Sequence, residues 1–184
     1  YTCCNKKPNS EKEMLTHGKA DGEFIRDKVP MTKEEVREVS ICKLKLYEGA
    51  VVYDIGSGTG SIAVEIAGLS DEIKVFALEY KEEAISLITQ NKEKFELNNI
   101  EIVSGKAPDA LENLPVPTHA FIGGSGGKMK EILSALYQKN PHMRVVINAI
   151  SMETICEIKE VLSTFSIQNA DVVQMQVSRA KRVG

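Results

Sequence analysis

The chain has 184 residues, enough for one domain with a sizeable core. Its 42% hydrophobic and 27% charged content is ordinary for a globular chain, and a net charge of −3 lacks the basic excess of a general nucleic-acid binder. No apolar run reaches the roughly 18 residues of a membrane span, and the first 23 residues are polar and charged with no visible secretory signal.

Four cysteines (Cys3, Cys4, Cys42, Cys156) and three scattered histidines form no Cys-x-x-Cys or other zinc spacing. No metal site is expected, and Cys42 and Cys156 read as buried thiols of a reducing compartment. The first residue is Tyr1 rather than Met, as in a processed product, a fragment or one segment of a longer polypeptide.

Residues 1–23 are polar and without periodicity, which predicts a flexible leader, with the domain over 24–184. In "FIRDKVPMTKEEV" (24–36), Thr32 and Glu35 have capping-box spacing, and Val36, Val39 and Ile41 follow, predicting a helix over about 33–46. Strands are predicted at 50–55, 74–80, 100–105, 119–124, 144–150 and 171–178, and helices at 61–69, 81–97, 107–114, 128–140 and 152–165. Strict alternation predicts an α/β fold: a doubly wound, mostly parallel sheet with helices on both faces. Ligands of such sheets bind beyond the carboxyl ends of the strands, where the strand order reverses.

The loop after the first of these strands, "DIGSGTG" (54–60), sets Gly56, Gly58 and Gly60 at alternate positions behind Asp54. Glycines let a backbone lie close against a ligand. A dinucleotide fingerprint would space its third glycine one residue later, and Asp54 would oppose a phosphate. A cationic ligand, such as an amino-acid ammonium, suits that carboxylate better. Glu79 ends the next strand, where an acid accepts hydrogen bonds from ribose hydroxyls. The loop "SGKAP" (104–108) should flank an adenine ring. An adenosine with an amino-acid tail is S-adenosylmethionine. A nicotinamide-dependent oxidoreductase and a non-catalytic subunit of the same fold are the competing readings; the loop spacing opposes the first and the intact glycines and Glu79 the second.

Asp54 to Gly60 with Glu79 resembles the seven-strand, Rossmann-like class I S-adenosylmethionine-dependent methyltransferases. There is no Asn/Asp-Pro-Pro-Tyr-type motif after the fourth strand, as in enzymes that methylate amino groups. In its place "FIGGSGGKMKEIL" (121–133) puts Gly123, Gly124, Ser125 and Gly126 on an open floor, ahead of a helix N-terminus that favours anionic groups. These residues read as positioning a large, flat or anionic acceptor.

The segments "EFIRDKVPMTKEEVR" (23–37), "DIGSGTGSIAVE" (54–65), "FIGGSGG" (121–127) and "SRAKRVG" (178–184) together resemble the CbiT-type precorrin methyltransferases of cobalamin biosynthesis. The resemblance covers roughly 23–184. It implies methylation of carbon 15 of a precorrin or cobalt-precorrin macrocycle, with loss of the carbon-12 acetate carboxyl, by a cytoplasmic homotetramer. A second methyltransferase domain fused upstream is compatible with it. It also implies contact of Thr32 with the methionine end of S-adenosylmethionine. Cofactor contacts are expected at Asp54, Gly56, Ser57, Gly58, Thr59, Gly60 and Glu79, and at the backbone of Ala107. Lys106 and His119 stand where the family more usually has acids. Arg26, Lys28, Lys128, Arg179, Lys181 and Arg182 are candidates for the substrate's carboxylates. An electron-rich ring carbon needs no strong base, so no catalytic His or Cys is expected. Among class I enzymes the last of the usual seven strands is missing from the chain as given; the sixth, 171–178, would then form an unpaired edge.

Overall fold

A computed structural model describes residues 17–165 and 169–180. Five parallel strands, β1 (Val51–Ile55), β2 (Lys74–Glu79), β3 (Ile100–Ser104), β4 (His119–Ile122) and β5 (Arg144–Ile147), form one sheet in the order β3-β2-β1-β4-β5. The helices are α1 (Glu34–Leu44), α2 (Ser61–Ala67), α3 (Glu82–Lys94), α4 (Met129–Lys139) and α5 (Met152–Thr164).

Strands covered on both sides read as continuous apolar runs, and each residue type finds its layer by the period of two. Val52, Val75 and Ala77 pack with Ile41, Ile62 and Ile88 on one face. Tyr53, Ile55, Phe76 and Leu78 pack with Met129, Ile132, Leu136 and Val161 on the other. In register, Ile55 lies opposite both Leu78 and Ile122, so the central strands end together. The order reverses between β1 and β4, which places the 56–60 and 123–127 loops side by side at the carboxyl edge.

Several expectations are corrected. The 171–178 segment is exposed and forms no strand. Its ends are held along α1 instead: Asp171 by Lys43 at 2.5 Å, and Arg179 by Glu35 at 2.6 Å and Glu34 at 3.6 Å. The 107–114 helix shrinks to a 3-10 turn at Asp109–Leu111. Cys42 and Cys156 are exposed on α1 and α5. On α1 the buried face is Arg37, Ser40, Ile41 and Leu44, which turns Cys42 outward.

The capping box does not form. Lys33 is the N-cap of α1 and its side chain makes no cap bond. Asp21 supplies the cap from outside the helix, accepting the Glu34 N–H at 3.0 Å. The polar leader therefore joins the domain from residue 17 onward, and residues 1–16 lie outside the described residues. The amides of Gly18 and Lys19 donate to Glu65 at 3.1 and 2.7 Å. Glu65 in turn faces Arg37 at 3.2 Å, with both side chains almost wholly buried. One buried ion pair thus joins the 17–23 segment, α1 and α2.

Removing one partner of such a pair leaves a buried charge uncompensated. Glu65→Ala strips Arg37 and two amides of their acceptor. Denaturant unfolding should show a loss of about 3–5 kcal/mol. A loss below about 1 kcal/mol, the scale of an exposed pair, would mean that the pair is solvated.

Candidate functional site

The glycine loop leaves β1 and folds back across the end of β2. The amides of Gly56 and Ser57 both donate to the Leu78 carbonyl, at 3.1 and 3.0 Å. The Gly58 amide donates to Glu79 Oε2 at 3.0 Å. Glu79 Oε1 accepts from the amides of Tyr80 and Lys81 at 2.8 and 3.2 Å. Three amides therefore fix the Glu79 carboxylate, which is 7% exposed, and charge-assisted bonds of this kind are strong.

Asp54 lies deeper and is fully buried. Its Oδ2 accepts the Ser57 hydroxyl at 2.5 Å, while among the described residues Oδ1 has no hydrogen-bond partner in range, nor has the buried Thr59 Oγ1. Burial pushes the Asp54 carboxyl up to about 7, with the hydrogen bonds from Ser57 and the Ala63 backbone opposing the rise and the Glu79 charge adding to it.

Two close approaches shape the space around the loop. Gly56 has φ +72°, and a Cβ there would lie 2.9 Å from both the N and O of Gly124. Gly58 has φ +58°, and a Cβ there would lie 3.0 Å from the Pro30 carbonyl oxygen. The loop is thus pressed between the 123–127 floor and the segment before α1, and only glycine fits both contacts. On the floor, a Cβ at Gly124 meets nothing within 4 Å. Ser125 Oγ donates to Glu157 Oε2 at 3.2 Å, and the Lys128 amide closes a turn onto the Ser125 carbonyl at 3.1 Å.

The structure therefore brings together Asp54, Gly56, Ser57, Gly58, Thr59, Gly60 and Glu79, with Gly123 and Gly124 beside them. Thr32 precedes α1 and gives its carbonyl to Arg37 at 2.7 Å. Ala107 is half-buried against the second core layer. Arg26, Lys28 and Lys128 are exposed. Arg179 is held by Glu34 and Glu35, away from the role expected of it. Lys181 and Arg182 lie outside the described residues.

His119 opens β4 at the opposite end of the sheet. It is buried, its Nδ1 is 2.8 Å from Thr118 Oγ1, and its ring packs on Tyr47. Burial and the Arg144 charge lower its pKa, so it is a packed neutral residue. Lys106 places its ammonium 4.5 Å from the Tyr80 ring centre, a cation–π contact beside Glu79.

Sequence reasoning missed Asn91, Arg37 and Glu157. Asn91 donates to the Thr59 carbonyl at 2.9 Å from inside α3. Its signal was a polar residue on the apolar face that carries Leu87 and Ile88.

The buried acid makes stability depend on pH. The folded carboxyl titrates near 7, while an unfolded Asp titrates near about 3.9. The folded state therefore holds more protons between these values, and stability falls as pH rises through the window. Asp54→Asn removes the titration. Thermal unfolding should show the variant gaining on wild type between about pH 4 and about pH 8. A constant difference across that range would contradict the assignment.

The whole domain has known counterparts. Residues 23–184 match the family described as "Precorrin methyltransferase domain". A protein of Sulfurisphaera tokodaii named "Probable cobalt-precorrin-6B C(15)-methyltransferase (decarboxylating)" is 39% identical over 173 residues, 92% of this chain and 89% of that one. The crystal structure of precorrin-6y C5,15-methyltransferase from Geobacter metallireducens superposes with a TM-score of 0.77 at 36% identity, covering 80% of this chain and 78% of that one. The C-terminal domain of precorrin-6Y C5,15-methyltransferase from Rhodobacter capsulatus superposes with a TM-score of 0.81 at 26% identity, covering 94% and 90%. The glycine loop, the floor and the segment before α1 all fall inside the family match, and the chain belongs to the precorrin methyltransferase domain family.

Proposed function

We propose that the protein transfers a methyl group from S-adenosylmethionine to carbon 15 of a precorrin or cobalt-precorrin macrocycle, with loss of the carbon-12 acetate carboxyl as carbon dioxide. The observation that carries this reading is the unpartnered Asp54 Oδ1, buried beside a glycine cradle whose other wall is the ordered Glu79 carboxylate. That donor set fits the cofactor. Glu79 accepts the ribose hydroxyls, Asp54 faces the ammonium directly or through water, and Gly56, Ser57, Gly58, Thr59 and Gly60 line the cradle. Thr32 covers the methionine end and the Ala107 backbone meets adenine.

Bound in this way, S-adenosylmethionine supplies an electrophilic methyl. The chain's own work is placement. A conjugated ring carbon is already nucleophilic, so orientation carries most of the rate. The bare floor at Gly123, Gly124 and Gly126 leaves room for a flat acceptor, with Ser125 fixing its shape. Arg26, Lys28 and Lys128 stand exposed for the acceptor's carboxylates. Arg179 joins them if a substrate carboxylate displaces Glu35. A reducing cytoplasm suits the exposed thiols of Cys42 and Cys156. The description of the Rhodobacter relative as a C-terminal domain supports an upstream fusion partner.

The test is mass spectrometry of precorrin and cobalt-precorrin mixtures incubated with enzyme and S-adenosylmethionine. One methyl gained and one carbon dioxide lost is the expected product. A methylated product that keeps its carboxyl would refute the decarboxylating reading.

Glu79→Ala leaves the ribose without a charged acceptor. Calorimetry should show S-adenosylhomocysteine binding weakened roughly tenfold or more, as the loss of one charged hydrogen bond allows. Undiminished affinity would rule out the ribose contact. Gly124→Val places its branch in open space, so the fold and cofactor binding should survive while methyl transfer collapses. Parallel loss of both would make this floor a support for the glycine loop.

We also propose a homotetramer. Val172, Val173, Met175 and Val177 are exposed beside α1, and β5 is a sheet edge among the described residues. Light scattering at micromolar concentration should report four copies. A monodisperse monomer would end the proposal.

A further inference from the structure

Two buried polar side chains outside the cradle grip the two ends of the segment that covers it. Asn91, on α3, is fully buried. Its Oδ1 accepts the Ile25 amide at 2.8 Å, and its Nδ2 donates to the Ile25 carbonyl at 2.8 Å and the Thr59 carbonyl at 2.9 Å. One amide group thus ties the segment's start to the glycine loop itself. Arg37, on α1, is also fully buried. Its Nη1 donates to the Thr32 carbonyl at 2.7 Å and meets Asp21 at 3.3 Å. Its Nε donates to Glu65 at 3.2 Å, Nη2 bonds the Lys19 carbonyl, and the guanidinium lies 4.6 Å from the Phe24 ring centre.

Between these anchors the Pro30 carbonyl stands 3.0 Å and Val29 Cγ1 3.9 Å from the place of a Cβ on Gly58. The segment's own backbone supplies one turn, from the Val29 amide to the Arg26 carbonyl at 3.1 Å. Irregular backbone with so little pairing of its own must take its shape from side chains. Both anchors are heavily committed. Asn91 uses two donors and an acceptor, and Arg37 spreads its fork over four partners at fixed angles. An apolar side chain at either position would leave backbone carbonyls orphaned.

We propose that Arg37 and Asn91 are positioning residues that set the 25–32 segment over the methionine end of the cofactor before any ligand arrives. This rests on reading the glycine loop as the cofactor cradle. The adenosine end is held separately, through Glu79 at the tip of β2. Loosening the cover therefore costs affinity only for ligands that carry the amino-acid tail.

Calorimetry separates the two ends. S-adenosylhomocysteine carries the tail and 5′-methylthioadenosine lacks it. In Asn91→Asp and Arg37→Lys, S-adenosylhomocysteine affinity should fall on the order of tenfold while methylthioadenosine affinity stays within about twofold of wild type. A folded variant that loses both ligands in parallel, or neither, overturns the inference and leaves the cofactor reading intact. Wild type that binds neither ligand overturns both.

Hydrogen exchange on ligand-free wild type tests the preset cover without any variant, should neither substitution fold. The Ile25 amide should be protected before ligand is added. Exchange at the rate of an open chain, slowing only with S-adenosylhomocysteine, would show a cover that forms on binding and overturn the proposal.

Discussion

The carboxyl end of the sheet depends on one contact, the passage of the Gly56 backbone against the backbone of Gly124. Strand order reverses between β1 and β4, so the two loops that leave them have no helix between them. A Cβ on Gly56 would sit 2.9 Å from two Gly124 backbone atoms. Without that approach the loop after β1 could not fold back to bond Leu78, and the Gly58 amide could not reach Glu79. The glycine turn and its bond to Glu79 thus go together with one close packing of two main chains at the ends of strands already in register.

That packing holds two acids of opposite character. Glu79 is satisfied by three amides and remains near the surface. Asp54 is sealed in beside the Ser57 hydroxyl, the Ala63 amide and a neighbouring negative charge, and its Oδ1 has no hydrogen-bond partner in range among the described residues. Burying a carboxyl with so little compensation opposes folding. The buried Arg37–Glu65 pair differs in that it is closed: every group around it has a partner within the chain. Spare hydrogen-bonding capacity at Asp54, against its use at Arg37, is what supports reading the first as a ligand contact and the second as part of the frame.

The strands and the loop were legible because their signals are local. Apolar runs bounded by turns marked all five strands, and the Gly56, Gly58, Gly60 spacing marked the loop that folds back onto Glu79. Local signals failed where a distant group outbid them. Thr32 and Glu35 have the spacing of a capping box, yet Asp21 caps the helix and Arg37 draws off the Thr32 carbonyl. The 171–178 run has strand composition, yet ion pairs at both its ends fasten it to α1. Asn91 and Arg37 were invisible for the same reason. Asn91 acts on residue 25, 66 positions away, and Arg37 on residue 65, 28 positions away. Each sits on a buried helix face, where a polar residue is the one mark a sequence can carry of a long-range hydrogen bond.

The two sides of the cradle are built on different principles, and the difference bears on chemistry. Towards α2 and α3 the backbone is tied down by Glu79, Asn91 and Ser57, with Asp54 Oδ1 and Thr59 Oγ1 left unpartnered among the described residues. Towards α4 the floor presents exposed glycines, and Ser125 has its Glu157 tether. The one buried histidine, His119, lies at the far end of the sheet, where it packs against Tyr47 and cannot move a proton at the cradle. On the proposed reading, an ordered cofactor side and a side-chain-poor acceptor side suit a reaction whose two partners are reactive once aligned. Transfer of an activated methyl to an electron-rich ring carbon meets that condition, because the nucleophile exists before the enzyme binds it. The same site would serve poorly for an alcohol or amine acceptor that must first lose a proton.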